Sequence, residues 1–274
     1  MTEYPYGLEL WRNSESCNVY NMSTMHSHSS HEVYFLITGQ RRYFIGHTIY
    51  DVAPGNLVFI PKTQLHRTTT PGEKGYDRYV INFYDEDYCQ FIELLSRPVF
   101  IELMNRGCLQ LPSDMVHQVY RDLEQIEQEL REPSVYSKAI VSHLFQDVLL
   151  IALRYGSKKM CYQGENTETI QGVARYISEH YASWITLDEA AHMAHMEKTY
   201  FSKQFKKLTG FGFLEYLTQT RLCEAERLLR ETRISMGAIA ELCGFSSSNY
   251  FGDVFYRWKN IAPTQYRKLH RGEQ

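Results

Sequence analysis

The sequence predicts an α+β protein of two domains, an N-terminal β-barrel with a helical pair and an all-α C-terminal domain. Short apolar segments separated by turn residues fill the chain up to about residue 84. From residue 85 onward the apolar residues recur at helical spacing. A polar, aperiodic stretch then interrupts the helical pattern. The predicted divisions are 1–112 for the barrel, 113–155 for the helical pair, 156–167 for a linker and 168–274 for the C-terminal domain.

Charge is distributed unevenly along the 274 residues, whose formal net charge is only -3. From Lys198 to the end there are 13 basic and 7 acidic residues, a net of +6, which leaves -9 for the rest. A basic end on an acidic chain favours contact with nucleic acid phosphates.

Cysteine usage and the absence of targeting patterns bear on where the protein works. None of the six cysteines forms a C-x-x-C pair, and no signal segment or bilayer-length apolar run occurs. These features predict a reduced cytoplasmic protein with free thiols and no membrane partner.

The barrel is predicted from closely spaced strands with turn signals between them, such as Ala53–Asn56. Many short strands at this spacing are typical of a sandwich or barrel. The predicted strands are Leu8–Trp11, Val19–Met22, Glu32–Thr38, Arg42–Ile49, Leu57–Ile60, His66–Thr69 and Arg78–Phe83.

A histidine-rich segment opens the third of these strands. It contains His26, His28 and Glu32, and Gly39 and the later His66 complete its pattern. This pattern resembles the two motifs of the cupin barrel. The sequence departs from those motifs at three places, with Tyr20 and Thr63 at glycine positions and Thr70 at the final asparagine position.

The histidine-rich segment has three interpretations. His26, His28, Glu32 and His66 could together hold Zn²⁺, Ni²⁺, Mn²⁺ or Fe²⁺. The same residues with Tyr34 could form a metal-free effector site, since the two-residue period of a strand puts Tyr34 on their face. Third, the histidines could merely line the barrel mouth. We favour the metal-free site, with no cofactor required and a divalent metal as the alternative.

The middle of the chain predicts helices. Asp85–Leu95 reads as a short helix, residues 97–112 as irregular, and Ser113 as the cap of a long helix that ends at Arg131. A second long helix spans Ser134–Tyr155. The first long helix has a narrow apolar seam, which favours packing on the barrel or on a second subunit, and we expect a homodimer. The seam residues are Val116, Val119, Leu123, Ile126 and Leu130.

The C-terminal domain predicts two helix-turn-helix units joined by one helix. A first helix spans Thr169–Tyr181, and Thr186 with Glu189 forms a capping box for the helix that follows. The remaining predicted helices are 187–194, 198–208, 213–230, one around 239–242 and one that begins near Ser248. In the second unit Gly244 permits the left-handed turn between helices.

Residues 234–267 resemble the C-terminal signature of the AraC/XylS family of bacterial transcription regulators. The matching residues are Ile239, Ala240, Gly244, Phe245, Ser246, Tyr250, Phe251, Phe255, Pro263, Tyr266 and Arg267. The resemblance implies a double-stranded DNA partner, an N-terminal sensor domain for a small-molecule effector, and a dimer. RNA polymerase is a further candidate partner.

The second helix of each unit carries the candidate DNA contacts on the side away from the core. The resemblance implies base contacts from Thr199, Ser202, Lys203, Ser248, Asn249 and Asp253. Candidate phosphate contacts are Lys198, Lys206, Lys207, Ser247, Arg257 and Lys259. Because Asp253 can only accept and Gly252 offers no side chain, the first unit should carry more of the sequence specificity.

Two classes of function remain. The leading hypothesis is a transcription regulator that responds to a sugar or related metabolite bound in the barrel. The alternative is a metal-dependent cupin enzyme fused to a DNA-binding domain, supported only by the histidine cluster. The sequence shows no additional catalytic base or nucleophile motif, so we expect no enzymatic activity.

Overall fold

The computed structural model describes residues 5–15, 28–71, 75–159 and 161–271. The chain forms two compact units, and its main division lies between Tyr162 and Gln163. The predicted strand Val19–Met22 lies outside the described residues. The N-terminal unit is rich in strands and the C-terminal unit is helical, so the predicted α+β fold class is confirmed.

The strands of the N-terminal unit form two sheets. A six-stranded sheet has the order β1-β7-β2-β5-β8-β9, and a three-stranded sheet has the order β4-β3-β6. The strands are β1 (Leu8–Glu15), β2 (His31–Thr38), β3 (Arg41–Ile45), β4 (Thr48–Val52), β5 (Asn56–Ile60), β6 (His66–Thr69), β7 (Tyr76–Phe83), β8 (Cys108–Gln110) and β9 (Ser157–Lys158).

The larger sheet is buried on both faces. Along β2, Tyr34 and Leu36 pack into a core that also contains residues of the smaller sheet. Val33 and Phe35 pack into a second core on the opposite face, which the helices cover. Successive side chains of a strand point to opposite faces, so this alternation is the one the sequence predicts.

Several sequence-based assignments in this unit differ from the structure. Arg42–Ile49 was predicted as one strand but divides into β3 and β4, because Gly46 has a φ of 61° and turns the chain. Residues 97–112 were predicted as irregular but contain a helix and β8. The residues of the predicted linker at Ser157–Lys158 pair with β8.

Four helices follow β7. After a 3₁₀ turn at Asp85–Tyr88 come α1 (Cys89–Leu95), α2 (Arg97–Met104), α3 (Ser113–Arg131) and α4 (Ser137–Tyr155). Ser113 does not cap α3 as predicted, because Pro112 occupies the N-cap position and Ser113 is the first helical residue. The α3 seam packs within its own unit, where Val119, Leu123 and Ile126 are fully buried.

The C-terminal unit contains the two predicted helix-turn-helix pairs. Its helices are α5 (Thr167–His180), α6 (Leu187–Met193), α7 (Lys198–Thr209), α8 (Phe213–Glu231), α9 (Met236–Leu242), α10 (Ser248–Lys259) and α11 (Pro263–Arg271). The predicted capping box at α6 is present, with Glu189 N–H donating to Thr186 Oγ1 at 3.2 Å. In the turn between α9 and α10, Gly244 has a φ of 74°.

Two further observations concern membrane-spanning helices and cysteines among the described residues. None of their helices combines the length and the apolar composition needed to cross a bilayer. The cysteines among them, Cys89, Cys108, Cys161, Cys223 and Cys243, are free thiols.

Candidate DNA-binding helices and effector site

The outward face of α7 is basic and accessible. Thr199 and Lys203 are exposed, Ser202 is half-buried, and Lys206 and Lys207 are exposed in the last turn. Phe201 and Phe205 are fully buried on the opposite side of the helix and fix its orientation in the unit. These predicted base and phosphate contacts therefore share one solvent-facing surface.

Contacts at the start of α7 involve Glu197, Lys198 and Tyr200. The Glu197 carboxylate accepts a hydrogen bond from Tyr200 N–H at 3.0 Å and caps the helix. Lys198 Nζ donates to Asp188 Oδ2 at 2.7 Å, so a phosphate would compete with this carboxylate for the lysine. Helical spacing predicts that Tyr200 points inward with Phe201 and Phe205, but Tyr200 is 42% exposed.

The outward face of α10 is nearly free of cations. Ser248, Asn249 and Asp253 are exposed, and Gly252 lies between them. Ser247 caps the helix, since its Oγ accepts from Tyr250 N–H at 3.1 Å, and its hydroxyl hydrogen can still be donated to a phosphate. Arg257 is the exposed cation of this helix, and it lies one turn beyond Asp253.

Lys259, a predicted phosphate contact, forms an ion pair within the C-terminal unit. Its Nζ lies 2.9 Å from Glu226 Oε2 and 4.1 Å from the centre of the Trp258 ring. Glu226 is buried on α8 and also accepts from Tyr266 Oη at 2.6 Å. Lys259 therefore helps to hold α8, α10 and α11 together, and a phosphate would compete with the Glu226 carboxylate for it.

Two residues of the second helix-turn-helix pair, α9 and α10, are more exposed than the sequence predicts. Helical spacing predicts that Tyr250 points inward with Phe251, Val254 and Phe255, but Tyr250 is 47% exposed at the start of α10. The same spacing places Leu242 on the apolar face of α9 with Ile239 and Ala240, but Leu242 is 54% exposed. Phe251, Val254 and Phe255 do pack inward as predicted, so the orientation of α10 is unaffected.

In the N-terminal unit, three of the four predicted cluster residues come together. Glu32 Oε2 lies 3.2 Å from His28 Nε2 and 3.8 Å from His66 Nε2. His66 is fully buried, and Glu32 is buried at the start of β2. The potential ligand atoms of these three residues all lie within 4.8 Å of one another. His26 lies outside the described residues.

The hydrogen bonds around the cluster orient both imidazoles. His28 Nδ1 lies 2.7 Å from Ser30 O, and His66 Nδ1 lies 3.0 Å from Gln64 O. A carbonyl can only accept, so each Nδ1 carries the hydrogen and each Nε2 of a neutral ring offers a lone pair toward Glu32. Such lone pairs and a carboxylate repel unless a proton or a cation lies between them.

This arrangement fits a metal as well as a proton. Histidine ligands usually donate their second ring N–H to a carbonyl or carboxylate, as both rings do in this cluster. Two histidines and one carboxylate form a donor set for a divalent transition metal. The third histidine of the segment, His31, serves a different purpose.

His31 is held in a buried ion cluster beside the candidate site. Its Nε2–H donates to Asp85 Oδ1 at 2.6 Å, and Lys62 Nζ donates to Asp85 Oδ2 at 2.9 Å. Burial opposes ionisation of Asp85, but the hydrogen bonds from His31 and Lys62 prevail and lower the pKa of its carboxyl. These contacts fix the beginning of β2, which carries Glu32.

The core between the two sheets holds further polar residues that no sequence motif identifies. Tyr34 is fully buried, and burial raises the pKa of its hydroxyl. Arg41 donates to Thr68 Oγ1 at 3.1 Å, and Tyr76 and Arg78 of β7 lie nearby. The two-residue alternation along β7 was visible in the sequence, but the pairing of β7 with β2 was not.

Comparison with protein families identifies both halves of the chain. A protein-family model described as an AraC-like ligand binding domain matches residues 17–148. A model described as a helix-turn-helix domain matches residues 190–269, a range that includes both α7 and α10.

Curated proteins with similar sequences are transcription factors. The transcriptional activator RhaR of Mannheimia succiniciproducens is 21% identical over 254 residues, which are 89% of this chain and 86% of that protein. RhaR of Yersinia pseudotuberculosis is 24% identical over 257 residues, 89% of this chain and 84% of that protein.

Solved structures also resemble the chain. ToxT from Vibrio cholerae covers 97% of this chain and 99% of its own at 15% identity, with a TM-score of 0.40. The DNA-binding domain of AdpA, solved with a target DNA, covers 39% of this chain and 98% of its own at 28% identity, with a TM-score of 0.37.

Proposed function

The chain belongs to the AraC family of DNA-binding transcription regulators, and on that premise we propose that α7 and α10 read specific duplex DNA under the control of an effector bound in the N-terminal unit. The carrying observation is that both helices present polar residues outward while their phenylalanines, Phe201, Phe205, Phe251 and Phe255, are buried. Selection of sequences from a random duplex pool by the purified full chain tests the proposal. Failure to enrich any sequence would reject it.

The two reading helices have unequal roles in this proposal. We assign base contacts to Thr199, Ser202 and Lys203 on α7, with Lys206 and Lys207 on phosphates. On α10, Ser248, Asn249 and Asp253 face the bases, while Ser247 and Arg257 face phosphates. Lysine can donate to guanine, whereas a carboxylate repels the backbone and accepts only from donors such as cytosine N4. Affinity should therefore come mainly from α7.

Gly252 supports the proposal that α10 lies close to DNA. A Cβ at this position would meet no described atom within 4 Å apart from its chain neighbours and the backbone of its own helix, so packing does not require a glycine there. Glycine inside a helix costs about 0.5–1 kcal/mol relative to alanine. The fold does not need a glycine at this position on the outward face of α10. Its presence is consistent with close approach of the DNA backbone or a base.

The predicted result for Gly252→Ala is a more stable protein that binds DNA less tightly. The melting temperature should rise by a few degrees and the affinity for the selected duplex should fall roughly fivefold or more. Gly172→Ala is the matched control, because Gly172 lies in the interior of α5 and its added Cβ also meets nothing within 4 Å. Equal DNA affinities of both variants and wild type would refute close approach at Gly252.

For the effector we propose a sugar or related metabolite, bound through His28, Glu32, Tyr34 and His66. Imidazole, carboxylate and phenol groups suit a ligand rich in hydroxyl groups. We propose that neither DNA binding nor effector binding requires a cofactor and that the protein is not an enzyme. A divalent metal held by His28, Glu32 and His66 would supply a Lewis acid for oxygen ligands.

Metal binding at the cluster can be separated from regulation. EDTA-treated protein should keep its affinity for the selected duplex and should bind about one equivalent of Zn²⁺ or Ni²⁺ in a calorimetric titration. Glu32→Gln should weaken that binding at least tenfold because it removes the anionic ligand, whereas changing the exposed His143 of α4 should not. Loss of DNA binding on EDTA treatment would contradict the cofactor-free proposal.

Assembly and location complete the proposal. We expect a homodimer that acts on DNA in the cytoplasm and contacts RNA polymerase. Since the α3 seam is used within its own unit, a second subunit must pack on another surface. Light scattering of the purified protein measures the assembly directly.

A further inference from the structure

Strand β7 presents three polar side chains to the core between the two sheets. In the pairing of β7 with β2, Arg78 lies opposite Leu36 and Asn82 lies opposite Glu32. Tyr76 is on the same face, two residues before Arg78, and packs in the core that contains Tyr34 and Leu36. Alternate residues of one strand therefore line one side of this core.

Each of these three residues has a buried polar atom without a hydrogen-bond partner among the described residues. The atoms are Tyr76 Oη, Arg78 Nε and Asn82 Oδ1. Buried polar groups in folded proteins are nearly always hydrogen-bonded, and leaving one unsatisfied is costly. A polar ligand on this face of β7 would supply partners for all three groups.

The charge of this core indicates what kind of ligand it accepts. The Arg78 guanidinium carbon lies 5.4 Å from the centre of the Tyr34 ring and 5.2 Å from that of Tyr76. The guanidinium carbon of Arg41 lies 4.2 Å from the centre of the Tyr76 ring. Arg78 forms no salt bridge with a described residue, and the Glu32 carboxylate faces His28 and His66. An anion beside Arg78 would offset the cost of burying the guanidinium.

We propose that the effector is a small hydroxylated carboxylic acid of the aldonic or uronic type. Its carboxylate accepts hydrogen bonds from Arg78 and from the Tyr76 hydroxyl, and one of its hydroxyls donates to Asn82. This inference rests on the proposed function, because it names the ligand of the sensor domain assigned there. A neutral sugar of the same carbon skeleton would satisfy Asn82 but would bring no anion into hydrogen-bond contact with the guanidinium.

The test compares acids with their neutral parents on the full chain. The probes are gluconate, galactonate, glucuronate and galacturonate, each beside glucose or galactose, in a thermal-shift assay followed by calorimetry. An acid that binds native protein should raise the melting temperature through its binding free energy, and its neutral parent should not. For the best acid, Arg78→Met and Tyr76→Phe should each raise Kd about tenfold or more.

Tyr88→Phe is the matched control for Tyr76→Phe. The Tyr88 hydroxyl is also buried without a partner among the described residues. Its ring lies in the other core, 5.6 Å from the Phe83 ring centre and 5.3 Å from that of Phe145. Removing a hydroxyl that has no partner loses no hydrogen bond, so both variants should melt at or above the wild-type temperature. Tyr88→Phe should keep the wild-type Kd.

Three results would overturn the inference. They are stabilisation by a neutral parent as strong as that by its acid, no stabilisation by any of the four acids, and wild-type Kd values for Arg78→Met and Tyr76→Phe. DNA selection by the full chain is independent of all three. If the chain enriches a duplex but binds a neutral sugar, the proposed function is supported and this inference is rejected. If the chain enriches no duplex, the proposed function itself is rejected.

Discussion

Replacing Gly244 with alanine should strongly destabilise the second helix-turn-helix unit. Gly244 has a φ of 74°, and a Cβ there would lie 2.5 Å from the carbonyl oxygen of Ala182. The left-handed conformation costs a residue with a Cβ about 1–2 kcal/mol. The contact with backbone atoms cannot be relieved by rotating a side chain, so the total should reach about 3 kcal/mol or more.

The effect is large compared with the marginal stability of small domains. The melting temperature of the C-terminal domain should fall by roughly 10 °C or more, and affinity for the selected duplex should fall with it. Gly237→Ala in the first turn of α9 is the control, because the nearest atom to its added Cβ is Ser235 Oγ at 3.9 Å. Equal melting temperatures of the two variants would contradict the account of this turn.

Replacing Lys203 with alanine should weaken DNA binding far more than replacing Asp253. Lys203 is an exposed cation on the reading face of α7, and a good base contact contributes about 1–3 kcal/mol. We therefore expect a loss of about tenfold or more in affinity and a relaxed preference at one base pair. Asp253→Ala removes an exposed carboxylate from α10 and should leave affinity unchanged or increase it.

Fluorescence anisotropy with the selected duplex and single-base variants of it measures both effects. Both side chains are exposed, so neither variant should change the melting temperature appreciably. If Asp253→Ala relaxes base preference more than Lys203→Ala, the assignment of specificity to the first unit is wrong.

Local signals predicted the C-terminal domain well. The α6 capping box and the glycine turn before α10 depend on residues close in sequence, and both are present. The role of Lys259 could not be predicted, because its partner Glu226 lies on another helix that only the tertiary fold brings near. In the same way, α2 forms where an irregular segment was expected, with Phe100, Leu103 and Met104 buried against the sheet-rich core.

The effector site was predictable only in part. The resemblance to the cupin motifs identified His28, Glu32 and His66, which do meet in the structure. Strand alternation also placed Tyr34 on the correct face. Tyr76, Arg78 and Asn82 were missed because their importance depends on β7 pairing with β2, and such non-local pairing has no signal in a single sequence.

The most direct test of the central claim is a hydroxyl-radical footprint of the full chain on its selected duplex. The connector α8, Phe213–Glu231, has 19 residues, or about 28 Å at ~1.5 Å per residue. That length suits two recognition helices in successive major grooves, which lie ~34 Å apart. We predict two protected patches on one face of the duplex, about 10 base pairs apart. A single protected patch, or uniform protection that does not depend on sequence, would contradict the claim that both units read DNA.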